Sequence, residues 1–248
     1  MKPRNYLSNL GSLRLYSART LALATVLSLL IAPLSAQAAP SECPVGVINA
    51  ACQINNPKST HVVVNKVRPL TPKNYYPADL VKPAKYNPLG RIVRKEVAAA
   101  VLAMGDQMLT DKQGTLVVQS GFRSYSSQVT IHSAKVNSIG KVAGEKLAAR
   151  PGHSEHQTGL AVDFAAKGVS TLTTSFAKTK AGIWLAANAW KYGFILRYPK
   201  GKTAVTGYQF EPWHFRYVGV RTATDMHDRN ILTLEEYYSL PAAPNYLN

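Results

Sequence analysis

The stretch Ser154-Glu155-His156-Gln157-Thr158-Gly159-Leu160-Ala161-Val162-Asp163 decides how this chain is read. Its second half alternates in a strand pattern that runs over residues 160–164. Leu160, Val162 and Phe164 fall on one face, Ala161 and Asp163 on the other. The first half is a polar loop, and Gly159 lets the backbone turn sharply between the two. His156 and Asp163 are too far apart for the i, i+4 helical pairing of an H-E-x-x-H site. A loop ligand followed by a strand ligand suits the spacing better. A carboxylate among apolar neighbours needs a partner. A metal supplies one, and a salt bridge to an arginine is the alternative.

The second informative stretch is Glu211-Pro212-Trp213-His214. Pro212 argues against a helix interior. On a regular strand Glu211 and His214 would face opposite ways, so a bulge or turn must re-aim one of them if both are to serve one metal. A lone histidine beside a tryptophan also fits a packed core. Taken together, His156, Asp163 and His214 offer three ligands with one position open, the pattern of a catalytic rather than a structural zinc site. Glu211 adds a carboxylate able to act as a base.

Around these stretches the pattern is mixed. Val93, Val97, Val101, Met104 and Met108 form one face of an amphipathic helix. Residues 61–65 and 116–120 read as strands, 68–88 as a proline-rich extended wrap, 127–139 as a helix and 140–152 as a loop. Residues 176–192 read as a helix closed by Gly193, and 194–198 and 208–218 as strands around a turn at 199–202. Thr233-Leu234-Glu235-Glu236 has capping-box spacing and starts a short last helix. The irregular alternation and the tight turn after Tyr198 predict an α+β fold with an antiparallel sheet flanked by helices.

The amino terminus reads as a signal peptide over residues 1–38. Lys2, Arg4, Arg14 and Arg19 precede an apolar run at 21–34, and Ala36-Gln37-Ala38 is a small-x-small cleavage site. That run falls short of the roughly 20 residues of a spanning helix. Secretion, or release into a periplasm or cell envelope after cleavage near Ala38, is expected; an uncleaved anchor is the alternative. Cys43 and Cys52 are the only cysteines, and in an exported chain they are expected to form a small disulfide loop. They lie in an extension over residues 39–60, ahead of a domain at 61–240 and a tail at 241–248. The whole chain has 29 basic against 13 acidic residues; without residues 1–38 the balance is 25 to 13, or +12. Such a chain is attracted to anionic polymers, here anionic wall polymers or lipid headgroups. No basic helix, finger or aromatic-basic repeat points to nucleic acid.

The two stretches also resemble known signatures. Residues 154–163 fit the S-x-H-x-x-G-x-A-x-D element, and 211–214 the E-x-W-H element, of the VanY-type D-alanyl-D-alanine carboxypeptidases. Ser120-Gly121-Phe122-Arg123-Ser124-Tyr125, followed by Gln128, resembles their S-G-Y-R-S-x-x-x-Q element, with Phe122 in place of the commoner tyrosine. The likeness runs in order over residues 62–238. It implies a hedgehog-like peptidase fold, one zinc ion on His156, Asp163 and His214, Glu211 as general base and Arg123 as a catalytic and substrate-contacting residue. It makes Ser154, Gln128 and Trp213 candidates for substrate contact, the first two at a terminal carboxylate. His61, His132, His153 and His227 match no ligand position, and His153 is expected to be exposed. The implied substrate is the peptide stem of peptidoglycan, cut by a monomer at its terminal D-Ala-D-Ala. An endopeptidase on the same scaffold and a non-catalytic wall-binding module are the alternatives.

Overall fold

A computed structural model of the protein describes residues 52–169 and 172–247. The expected signal peptide and cleavage site at residues 1–38, and Cys43, lie outside the described residues. Among those described, no helix is long and apolar enough to cross a membrane.

The centre is a four-stranded antiparallel sheet built from β3 (Leu116–Ser120), β4 (Ala161–Ala166), β6 (His214–Tyr217) and β5 (Phe194–Leu196), in that spatial order. A two-residue ribbon, β1 (Leu80–Val81) with β2 (Val93–Arg94), leads into helix α1 (Lys95–Thr110). Successive side chains of a strand face opposite ways, so each strand serves two environments. Leu116, Val118, Val162, Phe164 and Phe215 face a core completed by Val97, Val101, Met104 and Met108 of α1 and by Trp184 and Leu185 of α4 (Lys180–Asn188). Each large side chain buried there contributes about 1.5–3 kcal/mol. The other face of β4 and β6 carries Ala161, Asp163, His214 and Arg216. Part of that side is closed by a second cluster in which Ile195 meets Val63, Val218, and residues of α6 (Val220–Asp228) and α7 (Leu234–Tyr237).

The expected strand at 116–120 and the α1 face are present, with Val93 standing in β2 just before the helix. Helix α2 (Tyr125–Ile139) starts two residues early because the Ser124 side chain caps it, accepting from Ser127 N–H. Elsewhere the local readings need correction. Residues 61–65 form no strand. Val62, Val63 and Val64 are buried, but Val62 N–H and Val63 N–H donate to Ser59 and Ile54 carbonyls rather than to a ladder. Residues 140–152 are not wholly loop, since Gly140 starts the short α3 (Lys141–Gly144). The helix expected at 176–192 is divided: a 3-10 turn (Thr174–Lys178) ends before Thr179, whose side chain caps α4 by accepting from Gly182 N–H. Gly193, at φ 85°, closes the following 3-10 turn as expected. The strand expected over 208–218 pairs only at β6, because a turn at 211–214 takes up the approach after the short α5 (Thr203–Thr206).

The described part of the amino-terminal extension and the tail are both packed. Cys52 and Ile54 belong to the second cluster. Ala243 is buried, and the Arg150 amide donates to the Tyr246 hydroxyl at 2.8 Å.

Candidate metal centre and active site

Strand register assembles the centre. Asp163 of β4 is paired directly with His214 of β6, so their side chains leave the same face next to each other. An irregularity in β3 between Val118 and Ser120 brings Ser120 opposite Asp163 and aims the following Gly121–Arg123 segment at the site. His156 arrives on a 3-10 turn (Glu155–Thr158) that ends at Gly159, φ 70°. A Cβ on Gly159 would lie 2.9 Å from Arg94 Cγ, so both its backbone angle and its surroundings favour glycine. The difficulty posed by Glu211 and His214 is resolved by a turn: His214 N–H donates to the Glu211 carbonyl at 3.1 Å. Glu211 thereby precedes the strand and points to the same side as His214.

The result is a cavity of about 280 Å³ lined by Arg123, His156, Asp163, Glu211 and His214, with Ser154, Trp213, Tyr198 and Tyr208 among the other walls. One ligand atom from each of His156, Asp163 and His214 can be chosen so that all lie within 4.8 Å of one another. His156 Nε2 stands 3.3 Å from Asp163 Oδ2, and His214 Nδ1 stands 3.1 Å from Asp163 Oδ1. Ligands at about 2.1 Å from a tetrahedral zinc are roughly 3.4 Å apart, so these spacings fit. The His156 ring is oriented from behind, its Nδ1 lying 2.7 Å from the Gly121 carbonyl. With the proton on Nδ1, the lone pair is at Nε2. That Nε2 is buried without a hydrogen-bond partner, as a ligand nitrogen should be. The residues present therefore fit a zinc ion.

Electrostatics agree. Burial, reinforced by Arg123, holds the His156 imidazole down to about 4, so it is neutral near pH 7. Burial opposes a charge on His214 as well, but the adjoining Asp163 and Glu155 carboxylates outweigh it and raise that imidazole to about 9. Burial acts against the Asp163 charge too, yet the two histidines hold its carboxyl well below the ordinary range. A metal entering here displaces the His214 proton. Glu211 Oε2 lies 3.9 Å from His214 Nδ1. Its carboxyl is pushed up to about 7, chiefly by burial and further by Asp163, against the pull of His214 and Arg123. A carboxylate tuned to that range suits proton transfer at neutral pH.

Arg123 reaches the cavity with its NH2 group 3.5 Å from Asp163 Oδ2. Gln128 does not line the cavity: it is buried, its Oε1 accepts from Arg123 NH1 at 3.2 Å and its Nε2 donates to the Ala149 carbonyl at 2.8 Å. Ser154 and Trp213 do line it. His153 is not exposed as expected; it is half-buried, with Nδ1 2.9 Å from the Asn65 carbonyl. Four further residues carried no assigned role, although Arg197 and Tyr198 fall in an Arg197-Tyr198-Pro199 element that also resembles the family. Tyr198 lies against the His214 ring with centroids 4.7 Å apart. Glu155, Arg197 and Arg216 form a buried charged group behind His214. For Glu155 and Arg216 the only sequence signal was charge placed next to a ligand or within an apolar run.

The family model described as VanY, D-alanyl-D-alanine carboxypeptidase, matches residues 90–220. A Bacillus subtilis (strain 168) protein named as a carboxypeptidase, YodJ, is 43% identical over 75% of this chain and 69% of its own length. The chain spans less than half of two enterococcal D-alanyl-D-alanine carboxypeptidases that it also matches. Among solved structures, the LdcB LD-carboxypeptidase is similar at a TM-score of 0.68 and 42% identity, over 73% of this chain and 86% of that one. A VanY D,D-pentapeptidase variant in complex with Zn(II) is similar at 0.60 and 33%, over 71% and 97%. With its antiparallel sheet, its two-histidine, one-aspartate cluster and these likenesses, the chain belongs to the VanY family of D-alanyl-D-alanine carboxypeptidases.

Proposed function

We propose that this chain is an exported zinc carboxypeptidase that removes the terminal D-Ala from the D-Ala-D-Ala end of peptidoglycan stem peptides. The observation that carries this reading is the convergence of His156, Asp163 and His214 with Glu211 and Arg123 on one cavity. His156, Asp163 and His214 hold one zinc ion, which when bound polarises a carbonyl and acidifies water. Glu211 takes the proton of the attacking water and returns it to the leaving amine. Arg123 offers a permanently charged planar fork to the substrate carboxylate or to the developing oxyanion. Gln128 holds Arg123 in place, while Ser154 and Trp213 contact substrate along the cavity wall.

Export rests on the residue 1–38 pattern. In an exported chain Cys43 and Cys52 pair as a small disulfide loop. The net basic charge favours retention on anionic wall polymers, and the enzyme acts as a monomer.

The test is a defined pentapeptide stem incubated with purified protein, with and without chelator. Free D-Ala released only without chelator is the expected result. Internal fragments would identify an endopeptidase instead, and binding without cleavage a wall-binding module. The likeness to an LD-carboxypeptidase at 42% identity favours a second reading, release of D-Ala from a tetrapeptide stem. The same assay on that substrate separates the two.

A further inference from the structure

At the His214 ring nitrogen that does not face Asp163, two buried polar atoms face each other with no hydrogen-bond partner: His214 Nε2 and Glu155 Oε2. They are 3.5 Å apart, just beyond a hydrogen bond. The rest of the Glu155 carboxylate is fixed. Arg197 Nε donates to Oε1 at 2.9 Å and Arg216 NH1 donates to the same oxygen at 2.7 Å. Arg197 is anchored in turn by Glu235, at 2.7 and 2.9 Å. Arg216 is anchored by the Thr60 and Val62 carbonyls. Both guanidiniums converge on one oxygen and leave the other aimed at the imidazole.

A neutral imidazole carries one N–H. His214 Nδ1 is the nitrogen facing Asp163 and the cavity, so a metal there takes its lone pair and the proton must reside on Nε2. A buried N–H without an acceptor costs about 1–3 kcal/mol. Glu155 Oε2 is the carboxylate oxygen set opposite it. We infer that Glu155 is a positioning residue for the metal centre: its Oε2 accepts a hydrogen bond from the Nε2–H of His214 and thereby fixes the tautomer and ring orientation that present Nδ1 to zinc. The same 3-10 turn then supplies one ligand, His156, and the orienting partner of the other. This rests on the zinc reading above.

The test measures zinc itself on the full chain, by competition with a chromophoric chelator, in wild type, Glu155→Gln and Glu155→Asp. Asp keeps the charge for the arginines but withdraws the oxygen from His214. Both variants are expected to bind zinc about 10–100-fold more weakly, with the secondary structure of Glu155→Asp retained by circular dichroism. Unchanged zinc affinity in folded variants overturns the inference while leaving the zinc reading intact; a wild type that takes up no zinc overturns both. Should the variants fail to fold, nitrogen NMR of histidine-labelled, zinc-loaded wild type decides. A protonated, hydrogen-bonded Nε2 on His214 supports the role, and an unprotonated Nε2 overturns it.

Discussion

Two clusters of buried charge lie on the same side of the sheet and are built to different standards. In the closed one, Glu155, Glu235, Arg197 and Arg216 meet at 2.7–2.9 Å. In the open one, the acidic and basic groups of Arg123, His156, Asp163, Glu211 and His214 stand 3.1–3.9 Å apart. Desolvated charge is costly unless geometry is good and the remaining polar atoms are satisfied. The closed cluster meets that demand almost entirely from within the chain. The open cluster leaves His156 Nε2 unsatisfied and holds its groups at ligand-to-ligand distances. Contact length thus separates charge that supports the fold from charge arranged around a guest.

The sharpest way to break the comparison is to disarm the open cluster without touching its ligands. Glu211→Gln should lower kcat by about 10²–10⁴-fold while zinc stoichiometry, measured by metal analysis, stays at one per chain. Full activity in that variant would remove Glu211 from the mechanism. The converse variant, Arg197→Met, opens the closed cluster and leaves Glu155 and Glu235 buried without their shared cation. It should cost about 3–5 kcal/mol, read from chemical denaturation of metal-free protein.

Acid distinguishes the clusters by pH window. In the closed one, burial disfavours the Glu235 charge, but Arg197 more than compensates and keeps its pKa depressed. Its contribution is therefore present above the ordinary carboxylate value, about 4.3, and lost as pH falls through the lower folded value. The part of the stability that Glu235 supplies should be lost only below about pH 4. Glu211 has the opposite shift, to about 7. As a base it works only when ionised, and a nearby cation lowers its pKa. The acid limb of kcat/KM should then lie at or below pH 7, falling about tenfold per unit. Activity lost while the fold is intact would separate the two, and coincident profiles would not. The smallest effect is expected from Gly159→Ala, which strains the turn behind His156. It should cost upwards of 1 kcal/mol in stability and weaken zinc binding more than a matched change at Gly168, where a Cβ meets nothing within 4 Å.

How much of this was legible in the sequence varied with the range of the forces involved. The α1 face and the alternation at 160–164 are local patterns, and both appear in the fold. The run Val62-Val63-Val64 misled because apolar residues record burial, not strand pairing; these valines serve two clusters from an irregular segment. His156, Asp163, His214 and Glu211 could be singled out because their motifs are compact and resemble those of a known family, and the fold brings all four to one cavity. That Glu211 and His214 face one way needed the turn at 211–214, which residue spacing does not encode. The closed cluster was illegible: Glu155, Arg197, Arg216 and Glu235 come from separate elements, and charged residues ordinarily read as solvent-facing.

The pairing of Asp163 with His214 has a consequence for how the protein matures. Sliding β6 past β4 by one residue would bring Trp213 or Phe215 beside Asp163 and turn the apolar side of the strand outward. A misaligned chain therefore forfeits its ion and its interior in a single error. Zinc retention becomes a readout of correct assembly, usable on any variant before its activity is ever assayed.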